Sequence, residues 1–132
     1  MNQGVDRMLK ERWKKIQTYG ASLPFAKVYY REDWEVIYFE LQGKMFALLS
    51  PTIDDQSQLT LKGNPQKNEE LREIYESIKP GYHMNKKHWN SIVLQSDELS
   101  DEELLQMLRA SYQLVLAKFS KREREQLQRF VE

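Results

Sequence analysis

The sequence predicts an α+β fold, a small antiparallel sheet with helices packed on it, in the order α-β-β-β-α-β-α. The hydrophobic period changes from 3.6 in the first segment to 2 in the next ones and then returns to 3.6. The period-2 segments follow one another instead of alternating with helices, which favours antiparallel pairing. At 132 residues, without an internal repeat or a linker-like stretch, the chain fits a single domain over residues 1–132.

Composition narrows the classes of protein that the chain can belong to. The sequence has no cysteine, which excludes disulfide scaffolds, thiolate zinc sites and cysteine nucleophiles. The N-terminus has no apolar segment of the signal-peptide kind, and the longest strongly apolar run, at 45–49, is far shorter than the ~20 residues that span a bilayer. We therefore expect a cytoplasmic, monomeric protein that needs neither a membrane, a metal nor another cofactor.

The first helix is predicted over residues 5–17. Lysine and arginine occupy positions between its apolar residues. The apolar residues recur with the helical period and are Val5, Met8, Leu9, Trp13 and Ile16. Residues 18–34 are predicted to form an irregular connection, because Gly20 and Pro24 interrupt it.

Three strands are predicted after this connection. Residues 35–41 alternate and are rich in β-forming side chains, and residues 44–50 form the next strand. Between them, Gln42-Gly43 is a tight-turn signal in which the glycine supplies a positive φ. A shorter strand follows at 58–62.

The second half should contain two helices and one strand. Asn64-Pro65 is an N-cap followed by proline at the first helical position, and residues 79–81 should stop that helix. Residues 89–94 are predicted to form a strand. Ser100 and Glu103 form a capping box that opens the last clear helix, and residues 121–132 either extend it or add a short one. The predicted buried positions of the two helices are Leu71, Ile74, Tyr75 and Ile78, then Leu104, Leu105, Leu108, Tyr112, Val115 and Leu116.

The charge is neutral overall but locally positive. Twenty basic and twenty acidic residues cancel, which counts against a dedicated nucleic-acid binder. Between Glu76 and Asp97, however, there is no acidic residue, and the basic and histidine residues of this interval are Lys79, His83, Lys86, Lys87 and His88.

Two histidines in this interval raise the question of a metal or catalytic site. Zinc usually takes four ligands, and His83 and His88 have no cysteine or nearby carboxylate to complete a set. Catalysis would also need a nucleophile and an orienting group at a recognisable spacing, which the sequence does not show. We expect both histidines to hydrogen-bond the backbone and fix the loop, and we expect Ser111 to make a helix–sheet contact.

The candidate binding surface is the segment around Lys86-Lys87. Lysine neutralises phosphates, asparagine (Asn85, Asn90) can read an adenine edge, and an exposed aromatic can stack on a base. Trp89 is expected to be buried, because it continues into a strand. For the lysines and Asn85, a binding surface and an inert solvated surface both stay open.

Two further clusters have a structural and a functional interpretation. Carboxylates at 97–103 could hold a hard cation, but they stand at a helix N-terminus, where the macrodipole favours negative charge. The aromatic stretch at 25–34, which contains Phe25, Tyr29, Tyr30 and Trp34, could line a pocket; packing over the sheet edge is the favoured interpretation.

Several segments together resemble the MmcQ/YjbR family. They are GKMFALL at 43–49, LTLK at 59–62, PGYHMNKKHWNSIVL at 80–94 and SDEELLQMLRASYQLV at 100–115. The eleven residues 80–90 match the family signature throughout, and Ser111-Tyr112 matches a later pair.

The resemblance implies a CyaY-like fold and a double-wing mode of DNA binding. The hypothesis that follows is a non-enzymatic DNA-binding protein, with a regulatory role left open. The alternative is a protein- or small-ligand-binding module that uses the aromatic stretch at 25–34. The residues expected to contact DNA are those of the signature loop and the hairpin turn: His83, Asn85, Lys86, Lys87, His88, Asn90 and Lys44.

Overall fold

A computed structural model describes residues 3–81 and 84–131. Within these ranges the chain forms four helices and six strands. In chain order they are α1 (Gln3–Ser22), β1 (Ala26–Arg31), β2 (Val36–Leu41), β3 (Lys44–Leu49), β4 (Gln58–Lys62), α2 (Pro65–Ile74), β5 (Ile78–Pro80), β6 (Trp89–Val93), α3 (Asp101–Ala117) and α4 (Lys121–Val131). The predicted α+β class with an antiparallel sheet is confirmed. The structure has two strands and one helix more than the predicted order. In the part of the chain described, no helix is long and apolar enough to cross a membrane.

The six strands form one sheet in the order β1-β2-β3-β4-β6-β5, and every neighbouring pair is antiparallel. The β2–β3 turn confirms the predicted hairpin. Gln42 and Gly43 have φ of 50° and 83°, as expected for a tight turn that follows the twist of its strands. A register shift after Phe39 marks a bulge, which lets both Phe46 and Ala47 be buried.

The core lies between the sheet and helices α1 and α3. Cross-strand partners share a face of the sheet, so the register places Val28, Phe39, Ala47, Leu61 and Asn90 in one row beneath the helices. Phe46 meets the ring of Tyr112 of α3 edge-on, with the centroids 5.6 Å apart. These contacts place α3 directly over β3 and β4.

The irregular connection predicted at 18–34 was wrong over most of its length. Helix α1 continues to Ser22, and Gly20 lies against the Phe39 ring, so close that a Cβ there would stand 2.5 Å from a ring carbon. This glycine therefore serves close packing inside the helix instead of ending it. Strand β1 follows after Pro24 and forms the edge of the sheet; its alternation is masked because edge residues stay partly exposed.

The predicted core positions of α1 are mostly correct. Leu9 and Ile16 are buried, and Trp13 is half-buried with its Nε1 donating to the carbonyl of Ser50 at 2.9 Å. Met8, by contrast, is 70% exposed and does not belong to the core. The side chain of Val5 lies outside the described part of the structure.

Helix α2 ends four residues earlier than its apolar pattern suggested. Ile74 is 67% exposed, and Ile78 belongs to β5, where it pairs with Ile92 and is fully buried. The pairing with β6 overrides helical propensity here, because it satisfies backbone groups and buries an isoleucine at once. The carboxylate of Glu98 also accepts from the backbone N–H of Glu76 and of Ser77, which fixes the turn between α2 and β5.

The predicted capping box at Ser100 is confirmed. Glu103 donates its backbone N–H to Ser100 Oγ at 3.1 Å, and the Ser100 N–H donates to the Glu103 carboxylate at 3.0 Å. Of the two alternatives for the C-terminus, the structure shows a separate helix, since α3 ends at Ala117. Ser120 and Glu123 form a second reciprocal box that opens α4.

Trp89 is only 8% exposed at the start of β6, paired with Lys62, so its predicted burial is confirmed. Replacing it by alanine should lower the free energy of unfolding by about 3–5 kcal/mol, because a buried indole leaves a cavity behind. Thermal unfolding measures the loss. An unchanged melting temperature would contradict the packing role.

Replacing Ser100 by alanine should cost about 0.5–2 kcal/mol, because the Glu103 N–H loses its acceptor. Chemical denaturation gives the change, with Gln106→Ala, at an exposed position of the same helix, for comparison. The capping role is refuted if Ser100→Ala denatures at the wild-type midpoint.

Candidate nucleic-acid interface

Two hairpin loops lie at the same end of the sheet. The β2–β3 turn carries Lys44, and the β5–β6 loop (residues 81–88) carries Lys86 and Lys87. Strand β4 also ends at this end of the sheet, because Lys62 pairs with Trp89, the first residue of β6. The antiparallel order thus brings together lysines from three distant parts of the chain.

The described part of the β5–β6 loop presents its lysines to solvent. Asn85, Lys86 and Lys87 are all exposed. The Oδ1 of Asn85 accepts from the N–H of Lys87 at 3.0 Å, and its carbonyl accepts from the N–H of Trp89 at 3.0 Å. This side-chain turn holds the two lysines on the outer side of the loop.

Helix α2 fastens the loop from beneath. Asn68 is buried, and its Nδ2 donates to the carbonyl of Lys87 at 3.1 Å. Arg72 Nη1 donates to the carbonyl of Lys86 at 2.9 Å. The N–H of Gly63 donates to the carbonyl of His88 at 2.8 Å. The backbone of the loop is therefore fixed while the lysine side chains remain free to contact a ligand.

The remaining predicted contact residues differ in their placement. His83 lies outside the described residues. Asn90 is only 3% exposed, and its Nδ2 donates to the carbonyl of Asn68 at 3.1 Å. It faces the helices and so supports the loop from inside, and a base could not reach it. Its Oδ1 has no hydrogen-bond partner among the described residues.

The expected hydrogen bond from the His88 side chain is also not found. Within residues 3–81 and 84–131, the imidazole of His88 makes no hydrogen bond, and the residue fixes the loop through its main chain. Ser111 meets its prediction: it is buried and donates to the carbonyl of Lys62 at 2.6 Å. This bond joins α3 to the end of β4.

Sequence reasoning missed two lysines at this end of the sheet. Lys62 ends β4 and Lys118 follows α3, and the charges of Lys118 and Lys44 both act on Lys62. Burial, then the charges of Lys118 and Lys44, lowers the pKa of Lys62 to about 8. The one available signal was that Lys62 closes the matched segment LTLK. No sequence pattern predicts the position of Lys118, because it is more than fifty residues from Lys62 in the chain and α3 brings it there.

The acidic residues near the start of α3 are engaged in structural contacts. Partial burial of Asp101 opposes ionisation, but hydrogen bonds from Arg12 and Lys15 outweigh it and hold the pKa of this carboxyl below its ordinary value. Hydrogen bonds from Ser77 lower the pKa of Glu98. No group of three or more potential metal ligands was found among the described residues.

The aromatic stretch at 25–34 does not line one pocket. It forms the edge strand β1 and the turn after it, so its side chains alternate between the two faces of the sheet. Phe25 lies beside α3, and Tyr30 lies in a shallow depression near Trp13. Trp34 borders an open groove on the other face, lined also by Leu48, Thr60 and Met84. The stretch thus packs along the edge of the sheet, as the favoured interpretation expected.

Comparison with known proteins identifies the family of the chain. The model of the YjbR family matches residues 21–114, which include β1 to β6 and most of α3. The chain belongs to the YjbR family. Escherichia coli O157:H7 has a relative, the uncharacterized protein YbdF, that is 38% identical over 105 residues, 80% of this chain and 84% of YbdF. The uncharacterized protein YjbR of Escherichia coli K12 is 26% identical over 99 residues, 75% of this chain and 82% of its own length.

Solved structures share the fold of this YjbR-family chain. Protein DR2400 of Deinococcus radiodurans, described as a DUF419 domain, has a TM-score of 0.77 at 36% identity, with 86% of each chain covered. A Pseudomonas syringae protein has a TM-score of 0.63 at 24% identity, covering 86% of this chain and 98% of its own, and this likeness shows the fold alone.

Asn68 generates a prediction about the β5–β6 loop. Asn68→Ala should lower the free energy of unfolding by about 1–3 kcal/mol, because the carbonyl of Lys87 loses a buried donor. It should also speed hydrogen exchange at the amides of His88 and Trp89. Urea denaturation and exchange by NMR measure the two effects. Gln66→Ala, at an exposed position of the same helix, is the control, and equal results for the two variants would show that Asn68 does not fasten the loop.

Proposed function

We propose that this YjbR-family chain is a non-enzymatic DNA-binding protein that contacts the phosphate backbone with the lysines at one end of its sheet. The observation that carries the proposal is the placement of Lys44 and the Lys86-Lys87 pair on two hairpin loops that point the same way. Lysine neutralises phosphate charge and releases counterions, which supplies most of the affinity in sequence-independent binding.

The charge around these loops supports the proposal. None of the ion pairs found among the described residues uses Lys44, Lys86 or Lys87. The loop backbone is held by Asn68 and Arg72, so ordering of the main chain need not accompany binding. A preorganised loop with free cations loses less entropy on binding than a mobile one.

The spacing of the two loops also suits a duplex. The β2–β3 turn and the β5–β6 loop are separated by three strand spacings in the sheet order, which at ~4.8 Å per spacing is about 14 Å. That distance is comparable with the ~12 Å width of the major groove. Two hairpin loops could thus contact phosphates on either side of one groove.

The state of Asn85 argues against strong base reading. Bidentate recognition of adenine uses both the oxygen and the nitrogen of an asparagine amide. Here the Oδ1 of Asn85 already accepts from the N–H of Lys87. We therefore propose binding with little sequence preference, in which Asn85 shapes the loop.

The Lys86→Gln/Lys87→Gln double variant should bind duplex DNA more weakly without loss of stability. The slope of log K against log salt should also become shallower by about 0.9 for each phosphate that the protein no longer neutralises. Fluorescence anisotropy of a labelled duplex, titrated from ~50 mM salt upward, where such binding is strong, measures both.

The Lys10→Gln/Lys14→Gln double variant serves as the matched control. Both are exposed lysines of α1, whose Arg12 and Trp13 bond the carbonyls of Leu94 and Ser50 at the opposite end of the sheet, so their loss changes net charge by the same amount without touching the loops. Equal weakening by the control and the double variant would reduce the effect to net charge. Wild-type protein that binds no better than a neutral control protein at ~50 mM salt would overturn the proposal.

A further inference from the structure

Three lysines converge between the two hairpin loops from separate elements. Lys44 begins β3, Lys62 ends β4, and Lys118 is the C-cap of α3. The ammonium groups of Lys118 and Lys44 both lie close enough to Lys62 to disfavour its charged form. Lys44 Nζ also lies 5.5 Å from the centroid of the Phe119 ring.

In the described part of the chain, the three lysines have no salt-bridge partner. The ion pairs found in the described ranges are those of Arg12, Lys15 and Arg31, and none uses the three lysines. Glu123 of α4 faces Lys44, and its carboxylate also accepts the backbone N–H of Ser120 in the second capping box. Glu123 therefore offsets part of the charge of Lys44, whereas Lys62 is opposed by the like charge of Lys118, and burial makes this repulsion stronger.

The central lysine is held in place by its backbone. The carbonyl of Lys62 accepts from buried Ser111 of α3, and its strand is paired with Trp89 of β6. Lys62 is half-buried and so cannot turn fully into solvent as an ordinary surface lysine would. The helix C-terminus favours a cation at Lys118, but it does not account for the other two lysines.

We propose that Lys44, Lys62 and Lys118 form a seat for one phosphate group. An oxyanion between three ammonium groups would accept from each of them and remove their mutual repulsion. The inference rests on the proposed function for the source of the phosphate, the DNA backbone. Free phosphate shares the same chemistry and provides the other source.

The seat has a predicted pH dependence. Because the pKa of Lys62 lies at about 8, its charge is present at neutral pH and is lost as the pH rises above that value. Affinity for phosphate should therefore be highest below pH 8 and decline above it. Bound phosphate favours the charged form, so it should raise the pKa of Lys62 toward the ordinary value of 10.5.

The first arm of the test uses inorganic phosphate. The side-chain Cε resonance of Lys62, assigned by its loss in Lys62→Met, is followed by NMR against pH in sodium chloride and in sodium phosphate of equal ionic strength. We expect a higher titration midpoint in phosphate for Lys62 and the same midpoint in both salts for Lys10, an exposed lysine of α1. Identical midpoints for Lys62 in the two salts would overturn the seat.

The second arm uses the labelled duplex. Lys62→Met should lower the salt slope by about 0.9, and Lys118→Gln, at an exposed position that leaves the strand intact, should do the same. If phosphate moves the midpoint but neither variant changes DNA binding, the seat is upheld for free phosphate and DNA is excluded as its source. If DNA binding needs only the loop lysines and phosphate has no effect on Lys62, the seat is overturned while the proposed function survives.

Discussion

The antiparallel pairing of β4 with β6 is the constraint on which the rest of the site depends. It sets Lys62 opposite Trp89 and Leu61 opposite Asn90, so the last residue of β4 and the first residue of β6 lie at the same end of the sheet. The β5–β6 loop and the β2–β3 turn must then project from that same end of the sheet, because each neighbouring strand reverses direction. A slip of one residue would turn Asn90 and Ile92 away from the helices and turn Ser91, which now bonds Thr60 on the other face, toward them. The register of the sheet thus determines where the lysines lie.

Helix α1 is tied to the opposite end of β6 by a partly buried guanidinium. Arg12 donates to the carboxylate of Asp101 and to the carbonyls of Leu94, Ser96 and Leu99, at 2.7 to 3.0 Å. Charged hydrogen bonds of this kind are individually strong, and removing one partner leaves the others unsatisfied. The connection from β6 to α3 is therefore fixed, which in turn fixes where Ser111 meets the end of β4. Packing at one end of the sheet positions charge at the other.

The sequence predicted the parts of the molecule that carry strong local signals. The β2–β3 hairpin, the capping box at Ser100 and the burial of Trp89 follow from turn chemistry, capping and alternation. Strand β1 was missed because an edge strand shows weak alternation, and β5 because three residues carry too little pattern to compete with the helical period before them. At the candidate site, the exposed Lys86-Lys87 pair was accessible to sequence reasoning. The grouping of Lys62 and Lys118 with Lys44 was not, because it depends on tertiary register.

The neutral net charge gains a different meaning once each charge is located. Several carboxylates are engaged in local structure: Glu98 with the backbone before β5, Asp101 with Arg12, and Glu103 and Glu123 in capping boxes. The lysines of the two hairpin loops and of the β4 end form no ion pair among the described residues. A ligand within a Debye length of ~10 Å of this end of the sheet responds to the charges located there far more than to those at the opposite end. A net charge of zero is therefore compatible with a positive end of the sheet. The arrangement of the charges, and not their sum, is the property that bears on binding.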